Sequence, residues 1–180
     1  MASHLSLVLG GVRSGKSAFA EELAGQDKGP VLYLATGLAV DGEMEERIRR
    51  HKESRPSDWK TIEEPLDLSS RLKEVHGSVL IDSLDLWLAN LMMEHKDLSA
   101  NELEKSVLGH LDGLLVAIDK ASAAFTLVSS EVGLSLIPME QLGRRFQDLL
   151  GTINQRVAAQ ADRVFMVVAG IPSQIKGPNP

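Results

Sequence analysis

Gly10-Gly11-Val12-Arg13-Ser14-Gly15-Lys16-Ser17 follows directly on the apolar run Leu5-Ser6-Leu7-Val8-Leu9 and leads into Ala18-Phe19-Ala20-Glu21-Glu22-Leu23. No other feature of the chain limits its possible folds so tightly. A short apolar run of this kind reads as a strand buried on both faces, and residues 17–24 read as a helix opening. The glycines between them allow the backbone to wrap closely around a ligand that a Cβ would hit. Strand, glycine-rich turn and helix in that order aim successive N–H groups and a helix N-terminus at one point, which makes an anion site. The spacing fits G-x-x-x-x-G-K-[ST], in which the lysine reaches outer phosphates and the next hydroxyl ligates Mg²⁺. Lys16 and Ser17 hold those positions, so a bound nucleoside triphosphate is expected.

The rest of the chain repeats the alternation. Apolar, strand-like runs occur at residues 5–9, 31–35, 78–81, 124–128 and 164–168, and residues 59–63 predict a further short strand. Helical spacing covers 17–24, 43–53, 83–94, 101–121 and 139–161. Strands alternating with helices imply parallel crossovers, hence an α/β sheet with helices on both faces. No repeat or interdomain linker interrupts residues 1–180, and a single nucleotide-binding domain is expected. The tail over 175–180 reads as frayed, because Gly177, Pro178 and Pro180 oppose regular structure.

Composition removes several classes of function. The net charge of −6 argues against bulk nucleic-acid binding. With no cysteine there is no disulfide, thiolate metal site or cysteine nucleophile. No segment is long and apolar enough to insert stably in a membrane, and Met1-Ala2-Ser3-His4 lacks signal-peptide character. A cytoplasmic location is expected.

Polar residues gather where the predicted strands end, the rim at which open α/β sheets bind ligands. Val79-Leu80-Ile81-Asp82 has the form of an apolar strand ending in a metal-holding carboxylate; Asp82 would also serve as a helix cap. Ser129-Ser130-Glu131 follow the run at 124–128, and Glu131 reads either as a base or metal-supporting carboxylate, or as a solvated loop residue. Residues 41–52 run from acidic to basic, as a solvated surface helix would to complement its dipole. His51 adds another possibility there, since Arg47, Arg50, Lys52 and Arg55 around it favour a neutral imidazole and attract polyphosphate. A neutral imidazole is a competent nucleophile toward phosphorus. Charge pattern leaves both readings open.

Taken together, these segments resemble one family over residues 5–176, the bifunctional adenosylcobinamide kinase/adenosylcobinamide-phosphate guanylyltransferases of cobalamin biosynthesis. The resemblance is carried by the glycine-rich loop at 10–17, by Tyr33-Leu34-Ala35-Thr36, and by Arg47-Ile48 with His51-Lys52 and Arg55-Pro56. Trp59 with Glu63-Glu64-Pro65, Leu80-Ile81-Asp82 with Trp87, and Glu131-Val132-Gly133 with Ile137-Pro138 add to it. Asn154-Gln155, Ala161-Asp162 and Val168-Ala169-Gly170-Ile171-Pro172 complete it. It implies a RecA-like P-loop NTPase fold and two reactions on one chain. The first phosphorylates adenosylcobinamide with ATP or GTP. In the second, a histidine that matches His51 takes GMP from GTP and passes it to adenosylcobinamide phosphate.

The resemblance further implies that Gly10, Gly11, Val12, Arg13, Ser14, Gly15, Lys16 and Ser17 cradle the phosphates, with Mg²⁺ held by Ser17 and Asp82. Thr36, Gly37, Lys52, Arg55 and Glu63 are implied GTP contacts, Glu63 toward guanine, and the assembly implied is a homotrimer. The principal rival is a P-loop small-molecule or nucleoside monophosphate kinase that forms no covalent intermediate. A nucleotide-driven regulatory ATPase is a third reading, but 180 residues leave little room for a partner domain.

Overall fold

Strand alternation decides the layering. The computed structural model describes residues 4–26, 29–38, 42, 46, 49 and 56–178. Seven strands form one sheet: β1 (His4–Gly10), β2 (Val31–Ala35), β3 (Lys60–Glu63), β4 (His76–Asp82), β5 (Ser122–Ser130), β6 (Arg163–Val168) and β7 (Ile171–Lys176). Their spatial order is β3-β2-β4-β5-β1-β6-β7. Every neighbouring pair is parallel except β6 with β7. The continuously described helices are α1 (Lys16–Gly25), α2 (Leu84–Glu94), α3 (Ala100–Lys120) and α4 (Gln141–Gln160), with a 3₁₀ turn at Leu68–Leu72.

Successive residues of a strand face opposite sides of the sheet, so each inner strand feeds two cores. Leu5, Leu7 and Leu9 of β1, Val79 and Ile81 of β4, and Phe125 and Leu127 of β5 pack beneath α2, α3 and α4. Val8, Leu80, Val128 and Tyr33 point the other way, against Ala20, Leu23 and Ala24 of α1. The long α3 buries Leu103, Val107, Leu111, Leu114, Leu115 and Ile118, one stripe at helical spacing. Burying each of these large side chains contributes about 1.5–3 kcal/mol. Ser99 starts α3 with a capping box, its hydroxyl and the Glu102 carboxylate bonding back to each other's backbone N–H.

The predicted strands and helices lie within two residues of these bounds wherever the structure describes them. The helix expected over 43–53 falls largely outside the described residues. The frayed tail expected over 175–180 is corrected as far as Lys176. Residues 171–176 form β7, paired antiparallel with β6 through the two-residue turn Ala169-Gly170. Both turn residues have positive φ, 51° and 80°, the geometry that suits a tight hairpin. Pro172 is compatible with this strand because β7 is the sheet edge. The Lys176 ammonium donates to the carbonyls of Ala158 and Ala159 at 2.8 and 2.9 Å, satisfying the last turn of α4.

β1 is the topological switch point. The crossover from β1 to β2 carries α1 over one face, while that from β5 to β6 carries α4 over the other. A crevice therefore opens at the carboxyl end of β1, which is where this sheet class binds ligands.

Candidate functional site

That crevice holds the glycine-rich loop. Gly10 ends β1, and a Cβ there would meet Val167 O at 2.8 Å and the Ser14 hydroxyl. Gly15 has φ +93°, which favours glycine, and lies so close to the β6–β7 turn that a Cβ would sit 3.2 Å from Gly170 Cα. The turn and loop are also bonded, Gly170 N donating to Ser14 O at 2.8 Å. Val12 at the loop tip is exposed, and Arg13 beside it has φ +55°. Lys16 opens α1, is largely buried, and its ammonium lies 3.4 Å from Gly11 O, folded over the loop.

Ser17 and Asp82 converge as expected. The Ser17 hydroxyl is 3.5 Å from Asp82 Oδ1, and the Tyr33 hydroxyl donates to Asp82 Oδ2 at 2.7 Å. One carboxylate and one hydroxyl beside a phosphate cradle are the hard oxygen donors that Mg²⁺ takes when phosphates and water fill its other positions. Among the described residues no cluster of three or more His, Asp or Glu forms an all-protein metal cage.

Thr36 faces inward. It is fully buried, and its hydroxyl accepts from Ser83 N at 2.7 Å and donates to Ser83 O at 2.8 Å. Its own N–H donates to Asp82 O at 3.1 Å, and its carbonyl accepts from Asn90 Nδ2 at 2.7 Å. Thr36 thus locks the β2 end to the turn that carries Asp82. Gly37 follows it on the rim, and Glu63 ends the neighbouring β3, opposite Ala35 in register. His51, Lys52 and Arg55 lie outside the described residues.

Several polar residues gain their roles only in the fold. Glu64 N donates to Ala35 O at 2.9 Å, while its carboxylate takes Arg71 Nε at 2.7 Å and the N–H groups of Asp67 and Leu66 at 2.9 and 3.2 Å. Burial pushes the Glu64 carboxyl up, but the Arg71 guanidinium and those N–H groups outweigh it and hold the group below its usual value. The Ser69 hydroxyl likewise lowers Asp67, assisted by Ser70. Asp85 and Asn90, polar positions in the mostly apolar α2, and Asn154 of α4 anchor the rim from beneath. Their one sequence signal is a polar residue inside an apolar stripe. A groove of about 550 Å³ lies elsewhere, between the 3₁₀ turn and α3, lined by Leu66, Trp87 and His110 among others; it includes no residue of the phosphate loop.

The model of the family described as cobinamide kinase/cobinamide phosphate guanyltransferase matches residues 6–175. The chain belongs to that family. Curated relatives agree in length with this family member. A Pseudomonas aeruginosa protein named bifunctional adenosylcobalamin biosynthesis protein CobP is 40% identical over 174 residues, covering 95% of this chain and 96% of its own. Proteins named bifunctional adenosylcobalamin biosynthesis protein CobU are 36% identical in Escherichia coli and 37% in Salmonella typhimurium, each alignment covering 94% of this chain and 98% of the relative. Among solved structures, an ATPase from the type III secretion system of pathogenic bacteria superposes with a TM-score of 0.59 at 10% identity. That alignment covers 96% of this chain and 58% of the ATPase chain, and shows a shared RecA-like P-loop fold. No described helix is long and apolar enough to cross a membrane.

Proposed function

We propose that this protein phosphorylates adenosylcobinamide with ATP or GTP and then transfers GMP from GTP, through a guanylylated His51, to adenosylcobinamide phosphate. The observation that carries the reading is the phosphate loop at the β1 switch point, faced by Asp82 in a family member matched from residue 6 to residue 175. The loop N–H groups and Lys16 bind the β- and γ-phosphates and offset their charge. Ser17 and Asp82 would hold Mg²⁺, whose charge supports the departing phosphate oxygens. Tyr33 orients Asp82 through its 2.7 Å bond, and Thr36 fixes the same turn. Gly37, Lys52, Arg55 and Glu63 complete the proposed GTP contacts, Glu63 toward guanine.

In the kinase step the aminopropanol hydroxyl attacks the γ-phosphorus, an O–P bond forms, and the nucleoside diphosphate leaves. In the guanylyl step an imidazole nitrogen of His51 attacks the α-phosphorus, a P–N bond forms, and pyrophosphate leaves. The phosphate oxygen of adenosylcobinamide phosphate then takes the GMP, regenerating the imidazole. We also assign the chain a single nucleotide-binding domain and a homotrimeric assembly.

The direct test supplies adenosylcobinamide, GTP and Mg²⁺ and identifies products by mass. Adenosylcobinamide-GDP is expected from the wild type. Lys16→Ala should lose both activities by at least about 100-fold, because both use one cradle. Normal turnover by Lys16→Ala would remove the shared site from the account.

A further inference from the structure

Three elements meet at Ser130. Its hydroxyl donates to Asp85 Oδ2 at 2.6 Å, in the first turn of α2. Its carbonyl accepts from Asn154 Nδ2 at 3.1 Å, from α4. The next residue, Glu131, donates its N–H to Gly10 O at 3.1 Å, at the root of the phosphate loop. Ser130 and Asn154 are 7% and 6% exposed. Asp85 Oδ1, Asn154 Oδ1 and Ser129 Oγ are buried with no hydrogen-bond partner among the described residues. Such a cluster is costly beside apolar side chains of the same shape, so packing does not account for it.

Its position does. In the sheet, β5 lies between β4, which ends in Asp82, and β1, which ends in the phosphate loop. Glu131 follows β5 directly, between the metal-side carboxylate and the cradle. A proton acceptor for an attacking hydroxyl belongs at that point. The turn beyond it is tied at its far side by Gln147 to Val132 O at 3.0 Å and by Arg144 to Met139 O at 2.7 Å. Its near side is tied by Ser130 through Asp85 and Asn154.

We propose that Asp85 is a positioning residue for Glu131: through the Ser130 hydroxyl it fixes the turn in which the Glu131 N–H bonds the root of the phosphate loop and the Glu131 carboxylate accepts from Gly133 N at 2.8 Å, and it governs turnover in the kinase step rather than nucleotide affinity. This rests on the transferase reading above. Misplacing a reacting group by a fraction of an ångström lowers turnover without uniform loss of binding.

The test measures adenosylcobinamide phosphorylation and amide hydrogen exchange in the full chain. Asp85→Ala should lower kcat by about tenfold with KM for GTP changed by less than about twofold. In a Glu131→Gln background, Asp85→Ala should lower kcat no further, because it acts through that carboxylate. Amides of residues 131–136 should exchange faster in Asp85→Ala, a readout independent of turnover. Ser130→Ala removes the same bond from its other end and should reproduce all three results if Asp85→Ala does not fold. An unchanged kcat, a full further loss on top of Glu131→Gln, or unchanged exchange at 131–136 would overturn the proposal. A wild type that turns over no cobinamide counts instead against the transferase reading, and the exchange measurement then decides the positioning by itself.

Discussion

Gly10 shows how one residue makes the site possible. It closes β1 against Val167 on one side and Ser14 on the other, leaving no room for a side chain. Gly10→Ala should therefore destabilise the fold by about 1–3 kcal/mol, the cost of overpacking, and weaken GTP binding with it. Gly11→Ala is the control, since a Cβ there meets nothing within 4 Å, and its melting temperature should match the wild type. Thermal unfolding and calorimetric GTP titration check both; equal melting temperatures for the two variants would contradict the packing argument. At this scale the phosphate loop was legible because its parts are contiguous in sequence. Asp82 was legible too, as a carboxylate ending an apolar strand. Thr36 was legible as a rim residue, but its bonds to Ser83 were not. Asp85, Ser130 and Asn154 were not legible as a cluster, because their partners lie 45 and 24 residues apart.

Elements were read well where both faces of a strand are buried, since an apolar run then needs no partner to be recognised. β7 was missed for the opposite reason. Its residues are mostly exposed, and Pro172 weighs against a strand in sequence, although an edge strand accommodates it. The tie between the β3 end and the 3₁₀ turn was also hidden, since Glu64 and Arg71 meet only once the chain between them has folded back. That tie carries a pH signature. Because the folded Glu64 carboxyl lies below its ordinary value, its stabilisation is present above the unfolded value near 4.5. It is lost as pH falls through the lowered folded value. Arg71 is about half exposed, so its contribution is discounted. Arg71→Ala should cost about 1 kcal/mol at neutral pH and give a shallower loss of stability on acidification. Urea unfolding across the acid range checks this; identical pH slopes for variant and wild type would contradict it.

At the scale of the whole molecule, the crossovers from the neighbouring strands β1 and β5 run over opposite faces, and the loop, Asp82 and Glu131 lie along one rim. The proposed trimer belongs to this scale. Leu134, Leu136, Ile137 and Met139 stand exposed beside the rim of the single chain, apolar surface of the kind that assembly covers. Light scattering on a gel-filtration peak should give about three times the 19.5 kDa chain mass; a monomer would contradict the assembly. Covalent guanylyl transfer through His51 is the step on which the proposed function turns, and retention of label by denatured protein reports it. After incubation with Mg²⁺ and [α-³²P]GTP, the account predicts acid-labile, alkali-stable label on the wild type and none on His51→Ala. Tight GTP binding with no retained label, or label that persists in His51→Ala, would contradict it.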